Sequence, residues 1–600
     1  MIKQLYKWHR RLSVVIAVPV LLWASSGFMH PLMTNIRPAI ATQGWPSLAI
    51  DSGRLRCPLP EALRKHHLDS FAAVRLVHID TNWFYQVQPA VRRAGAGGSG
   101  AAGFGSATDR ALAFSPAIQP TVPVYLSCVN GNVLAAGDWL YAQYLARHFL
   151  EGGAEKGKAD AMPAGKQIAT PVVYTEGAPD CCGAATECVL HPARGAKVAN
   201  VSLLTGYDKE YKSINRLLPV YRVSFDRPDG IRIYVETTQD RFSFAMDNRR
   251  AFFDGIFGLF HTWGWLDVLG KGRLVVELGF ALLAFCTVLL GVYLFFTTRG
   301  ARVNTTRGAS ADSTRAAKAK NNGLVRARRY HRYTAIVAAM FTLMWSFSGG
   351  YHALTKLAAG TEPVRQAVNF SAADAGFDYA RLRAAAGRPM ANISLVKIED
   401  QLYWRTSLFT ENGSAHKDLM KDGRATLPPV LYVHAGDYRV LPEGDQHYAA
   451  SLAAQYRGQT ISDAQFGGQR GSDAVSDAQF GGQGGGAALS VSPVTAFDDE
   501  YNFTDKRLPV WRVSYPGEGH PRYYVETSSG QLAAFVNDAV WREGYSFSVF
   551  HKHHFMDWGG KTVRDGSTMF WAAMQVLMAV IGLSLFVRYR ISRRRQDRTA

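Results

Sequence analysis

Six cysteines in 600 residues are too few for a disulfide-stapled scaffold, and none is spaced as in a zinc module. No Gly-x-Gly-x-x-Gly is set between a strand-like and a helical run, and no P-loop occurs, so no nucleotide domain is recognisable. Charge is scarce too. Only 19% of residues are charged, and acidic residues are outnumbered 48 to 67, for a net charge of +19. Such an excess raises nucleic acid or a membrane surface as partner, and its placement decides between them. Residues 1–11 carry four basic side chains, 299–332 carry ten against one acidic, and 588–600 carry six against one, so 20 − 2 = +18 of the +19 sits in three short segments. The remainder is nearly neutral, which excludes a basic face for nucleic acid.

Apolar residues make up 47% and collect in four runs, Leu12–Met33, Leu274–Phe296, Tyr333–Leu354 and Thr568–Val587. Each is close to the ~20 residues that cross a bilayer. The first is longer than a signal-peptide core and has a near copy in mid-chain, where no signal peptide acts. The basic segments precede the first run, join the second to the third and follow the fourth. By the positive-inside rule both termini and the 299–332 loop are expected in the cytoplasm, in the inner membrane of a bacterium. The longest internal cytoplasmic segment is about thirty residues, far below domain size.

The chain is internally repeated. Trp8-His9-Arg10 recurs as Tyr330-His331-Arg332, and Trp23, Ser26, Gly27 and His30 recur as Trp345, Ser348, Gly349 and His352, all shifted by 331 − 9 = 322. Leu218-Pro219-Val220-Tyr221-Arg222-Val223-Ser224 recurs from Leu508, Tyr234-Val235-Glu236-Thr237 from Tyr524, and Phe260-His261 as Phe550-His551, all shifted by 508 − 218 = 290. The fold class expected is an α+β integral membrane protein of two pseudo-symmetric halves, each a span, an outer α+β domain and a second span, related by an axis along the membrane normal. The expected divisions are a cytoplasmic N-terminus with span 1 (1–34), outer domain 1 (35–260), an interfacial segment with span 2 (261–298), a basic loop (299–329), span 3 (330–355), outer domain 2 (356–550), and an interfacial segment, span 4 and basic tail (551–600). Spans 1 and 3 are expected to meet near the axis. Residues 219–237 and 509–527 read as hairpins, and 138–150 and 445–457 as amphipathic helices. The Gly/Ala-rich 91–113 and the repetitive 462–489 read as loop insertions.

Trp-His-Arg opening a span with Ser-Gly near its end, Pro-Val-Trp-Arg-Val before Tyr-Tyr-Val-Glu-Thr, and Phe-His ahead of the next span together resemble the PepSY-associated transmembrane family. The resemblance covers most of the chain outside the insertions. It implies PepSY-like outer domains. Among its members are inner-membrane ferric-siderophore reductases that hold b-type haem between their helices, so it implies an oxidoreductase of that type.

Six of the 17 histidines fall at matched positions by the membrane: His9, His331, His30, His352, His261 and His551. His9 and His30 are 21 residues apart, about 31 Å along a helix and about 60° in phase. One helix thus presents an imidazole at each membrane face. Neutral imidazoles ligate haem iron from opposite sides, so His9 and His331 are candidates for an inner site. For an outer site three pairings stay open: His30 with His352, His261 with His551, or a mixed pair within each half. His553 and His554 break the repeat and are weak metal candidates. No Cys-x-x-Cys-His occurs, which leaves non-covalent haem b, one or two or more. Trp8, Trp23, Trp263, Trp265, Trp345, Trp541 and Trp558 read as an interface belt. Cys181 or Cys182 with Cys188 is a candidate disulfide on the outer side, Cys286 a packing residue in span 2, and Glu277 a residue snorkelling outward.

The function expected is electron transfer to a ferric chelate outside. The donor would be a quinol in the bilayer or a separate cytoplasmic reductase. The alternative is a non-enzymatic, membrane-anchored module that binds protein or peptide through its outer domains. A transporter fits poorly, because four spans with few intramembrane charges offer no pathway.

Overall fold

The computed structural model describes residues 2–90, 122–152, 196–298, 315–358, 363–365, 367–410, 424–458, 488 and 490–599. Cys181, Cys182, Cys188, the stretch 91–113 and, apart from Ala488, the insertion 462–489 lie outside them.

The architecture is α+β. The first half runs α1 (Ile2–Asn35), α2 (Leu59–Lys65), β1 (Ser70–Ile79), β2 (Asn82–Pro89), β3 (Val124–Ser127), α3 (Gly137–Glu151), β4 (Val198–Leu204), β5 (Val220–Phe225), β6 (Arg232–Glu236), β7 (Arg241–Met246), α4 (Asn248–Phe260) and α5 (Gly272–Thr297). The chain continues with α6 (Arg315–Ala358), β8 (Phe370–Ser371), α7 (Tyr379–Ala386), β9 (Met390–Ile398), β10 (Gln401–Leu408), β11 (Val430–His434), β12 (Val440–Leu441) and α8 (Gly444–Arg457). It closes with β13 (Ser490–Val494), β14 (Val510–Ser514), β15 (Arg522–Glu526), β16 (Gln531–Val536), α9 (Asp538–Ser546) and α10 (Gly560–Thr599).

Among the described residues, three helical segments are long and apolar enough to cross a membrane: Ile2–Asn35, Gly272–Thr297 and His554–Ile591. Tyr333–Leu354 is helical as well, inside α6, and packs against α5 and α10. Thr334, Thr342, Ser346, Ser348 and His352 make it more polar than the other three. The helices form a ring in which α1 packs on α5 and α10, and α6 packs on the same two. Spans 1 and 3 therefore lie diagonally opposed and do not meet as packed neighbours. Tryptophans and small residues facing the middle leave open space between them.

The hairpin expected at 219–237 is β5–β6 of an antiparallel sheet β4-β5-β6-β7, and that at 509–527 is β14–β15 of the sheet β13-β14-β15-β16. A larger sheet, ordered β12-β11-β10-β9-β1-β2-β3 with β8 on β1, draws strands from both halves of the chain. Its seam is β1 against β9, where Arg75 faces Ser394. The Asn392 side chain completes the seam by accepting from the Leu76 N–H at 3.2 Å and donating to the Leu76 carbonyl at 3.0 Å.

One face of this sheet carries a single core shared by Leu59, Leu63, Phe71, Leu382, Ile393 and Trp404. On the other face, α3 buries Tyr141, Leu145 and Phe149, at helical spacing, between β1–β3 and the β4–β7 sheet. Leu452 and Ala453 of α8 do the same toward β13–β16. Where the two smaller sheets approach each other, Glu236 and Glu526 meet Arg241 and Arg507 in a buried ring. Arg507 bonds Glu526 at 2.7 Å and Glu236 at 3.2 Å, while Arg241 reaches Glu236 at 3.3 Å and contacts Glu526.

Candidate functional site: histidines at two levels of the helix bundle

His9 and His30 share the continuous helix α1, and His331 and His352 share α6, so each helix carries its two imidazoles 21 residues apart. His9 packs against α5 where Gly291 lies, and a Cβ there would stand 3.0 Å from the ring. His331 packs against α10 at Gly582, where a Cβ would stand 3.1 Å away. A side chain at either glycine would press on the imidazole and push it away from the helix backbone. His9 Nδ1 lies 3.2 Å from the Thr287 carbonyl. His331 lies beside the carbonyl of Met578, and its buried Nδ1 completes no hydrogen bond among the described residues. The two imidazoles are near enough to interact electrostatically.

At the outer level, His261 and His551 stand in edge-to-face contact, ring centroids 6.0 Å apart. Their settings match. Phe257 stacks on His261 and Phe547 on His551, each at 4.5 Å. Trp23 Nε1 donates to the His261 carbonyl, and Trp345 Nε1 to that of His551, both at 3.1 Å. Ser26 Oγ lies 3.0 Å from His261 Nδ1, and Ser348 Oγ 3.2 Å from His551 Nδ1. His30 lies on Phe257 at 5.3 Å and His352 on Phe547 at 4.7 Å, so all four outer imidazoles form one group.

The hydrogen bonds accommodate one tautomer throughout. When Ser26 Oγ–H donates back along its helix to the Leu22 or Trp23 carbonyl, and Ser348 Oγ–H to that of Trp345, each hydroxyl has only lone pairs to offer and Nδ1 of His261 and His551 carries the proton. The Thr287 carbonyl sets the same state on His9. The Glu543 carboxylate, 2.5 Å from His352 Nδ1, sets it on His352. In each case Nε2 is left with its lone pair, as a ligating histidine requires.

The four outer histidines and Glu543, but not His9 or His331, border a cavity of about 4580 Å³ that runs from the outer sheets into the bundle. Small residues, among them Ala24, Gly27, Ala281, Ala284, Gly349 and Ala572, form its membrane-level walls. It is several times larger than a pocket for a small ligand.

Other sequence candidates fall elsewhere. His553 is wholly buried and stacks on Trp345 at 5.4 Å, as Trp263 stacks on Trp23 at 4.8 Å in the first half. His554 pairs with Asp557 at 2.8 Å. Among the described residues no group of three or more His, Cys, Asp or Glu is arranged to hold a metal ion. Glu277 does not snorkel outward. It lines the cavity, 3.5 Å from Arg273. Cys286 is exposed on the outer surface of α5 rather than packed, and Cys57 and Cys128 are free and buried. Trp8, Trp265, Trp541 and Trp558 are exposed, as belt residues are, whereas Trp263 is buried.

The sequence reading missed Gly291 and Gly582, which are 582 − 291 = 291 apart and so fall one residue off the 290 shift. It quoted Ser26 and Ser348 as repeated letters without their role. It also missed Glu543, which aligns with Phe253 and has no repeat signal. The chain matches no protein-family model and no curated protein.

Proposed function

We propose that the chain is a transmembrane electron-transfer protein of the PepSY-associated kind, with four spans in two like halves, that reduces ferric chelates at its outer face. The observation that carries this reading is the repeated placement of histidines at two levels of one bundle, with Nδ1 of His9, His261, His352 and His551 held by a neighbour. At the outer level haem b would suit these donors and the small-residue walls beside them. Bound there, it supplies reversible one-electron chemistry. His9 and His331 would hold it at the inner level. At the outer level the quartet His30, His261, His352 and His551 would hold it, with His261 and His551 at its centre. Ser26 and Ser348 keep the outer rings oriented. Gly291 and Gly582 let the inner rings sit back against α5 and α10. On the positive-inside rule the basic termini and loop support an inner level facing the cytoplasm of a bacterial inner membrane, where a quinol or a separate reductase would be the donor. The cavity gives an acceptor access to the outer quartet from the external side. One-electron reduction of a ferric chelate weakens its hard-oxygen coordination and lets the metal go.

The test is the visible spectrum of the detergent-purified protein, oxidised and then reduced by dithionite. The reading expects a Soret band with the split pattern of bis-histidine haem b, a share of which His331→Ala removes. His261→Ala and His551→Ala should slow reduction of an added ferric chelate. If wild-type protein made with ample haem has no Soret band, and the His9→Ala, His331→Ala, His551→Ala triple variant supports normal iron acquisition, the redox reading fails. The anchored binding module then stands.

A further inference from the structure

The two halves differ in charge at one place on the cavity wall. Arg216, in the first half, reaches across to Asp505 of the second at 2.7 Å. The 290 shift maps Arg216 onto Lys506 and Asp505 onto Asn215. Lys506 is therefore the counterpart of a paired cation, but the residue opposite in the repeat is neutral. Both Arg216 and Lys506 hold left-handed backbone, at φ 55° and 66°, so the local chain geometry is the same and only the partner has changed.

Two more cations gather on the same side. Arg250 of α4 aligns with Val540, so this charge too is absent from the second half. Its guanidinium lies over Phe244 at 4.3 Å and donates to the Ala245 carbonyl at 3.1 Å. Arg37, just past α1, donates to the Thr34 carbonyl at 3.3 Å. All three side chains line the cavity that reaches the outer histidines. None of the three forms an ion pair among the described residues. The carboxylates whose charge reaches Arg250 have partners of their own: Asp254 pairs with Lys212 at 2.6 Å, and Asp247 accepts from the Arg250 backbone N–H at 2.6 Å. Burial, and then repulsion from Arg250 and Arg37, holds the Lys506 ammonium down at about 8. Three cations drawn from three elements, facing one cavity and none of them ion-paired among the described residues, form a cradle for an anion.

We propose that Arg37, Arg250 and Lys506 form a carboxylate-binding site that selects anionic, carboxylate-bearing metal chelates for entry to the cavity. The identity of the guest rests on the ferric-chelate reading above, whereas the anion site rests on the broken repeat. The place related to it by the repeat, with Val540 for Arg250 and the paired Arg216 for Lys506, offers no such cradle.

The experiment uses the full-length protein in detergent and two redox-inert probes, so that its outcome does not depend on electron transfer. Gallium(III) citrate is the anionic probe and neutral gallium tris(acetohydroxamate) the control, with binding followed by calorimetry. Wild type is expected to bind the citrate complex, more weakly as salt rises. Lys506→Gln and Arg250→Gln should each weaken it by about tenfold, the value of one charge-assisted contact, and Lys506→Arg should restore it. Asn215→Asp removes no cation but supplies the carboxylate that the repeat lacks, and it should weaken citrate binding too. Binding of the neutral complex should be the same in all of them. Citrate binding that is absent from wild type, unchanged in the variants, or weakened in step with the neutral complex overturns the proposal. None of those results alters the haem spectrum, which decides the electron-transfer reading separately.

Discussion

Replacing Glu526 by Gln tests what joins the two smaller sheets. Glu526 is buried with its side chain 3% exposed, and its arginine partners Arg241 and Arg507 are 4% and 6% exposed. Burial alone would raise its pKa. The charges of Arg241 and Arg507, with hydrogen bonds from Ser529 and Arg241, outweigh burial and hold it at about 2 against an ordinary 4.5. At 1.36 kcal/mol per pH unit, that depression is worth roughly 3 kcal/mol at neutral pH. Breaking a buried ion pair from one side costs about 3–5 kcal/mol, which agrees. The variant leaves two buried guanidinium groups sharing Glu236 alone. For a unit of this size each kcal/mol moves the melting temperature by about 2–4 °C, so a loss of roughly 6–12 °C is expected at pH 7. The sign with pH follows from the depressed pKa. The contribution is whole above the unfolded value of 4.5 and is lost as pH falls toward 2. Glutamine does not titrate, so the two melting curves should converge through that window. Thermal unfolding of both proteins in one detergent, by tryptophan fluorescence from pH 7 to pH 3, measures this. A variant that melts with wild type at pH 7, or a gap that does not narrow toward pH 3, would refute the reasoning.

Gly582→Leu should drive His331 off α10 and remove the inner-level share of any haem spectrum while leaving the outer share. Gly291→Leu should act alike through His9, and spectra of the two variants check this. Ser26→Ala and Ser348→Ala free the Nδ1 protons of His261 and His551, which should weaken outer-level haem retention by about 10–100-fold in a haem-transfer assay. Reporter fusions at Gly308 and Gly481 should report opposite compartments, and agreement between them would exclude the four-span arrangement.

The parts legible in the sequence are those that depend on local pattern. Helix length shows as an apolar run, and the 322 and 290 shifts bring out His9 with His331 and His261 with His551. The hairpins at 219–237 and 509–527 announce themselves by alternation and turn residues. The β1–β9 seam leaves no such mark. Arg75 and Ser394 meet across 394 − 75 = 319 residues, and nothing in the pattern of either strand names its neighbour. The inward turn of Glu277 and the pairing of His352 with Glu543 likewise depend on which helices pack together. Gly291 and Gly582 were hidden by a one-residue slip between α5 and α10. The open bundle centre was misjudged because paired histidines suggest touching helices, whereas the small residues between them provide room.

The seam has a consequence for biosynthesis. When the ribosome has released the first half, β1 ends in an open edge until residues 390–398 emerge, and the core built on Leu59 and Phe71 lacks its other wall. A half-length polypeptide would face that state permanently, and its remedy would be a second copy. Strands that now pair Arg75 with Ser394 would then pair one residue with itself about a true dyad. The single chain thus preserves the outline of a homodimer. Within one chain each half is free to differ from the other, and Asn215 need not match Asp505.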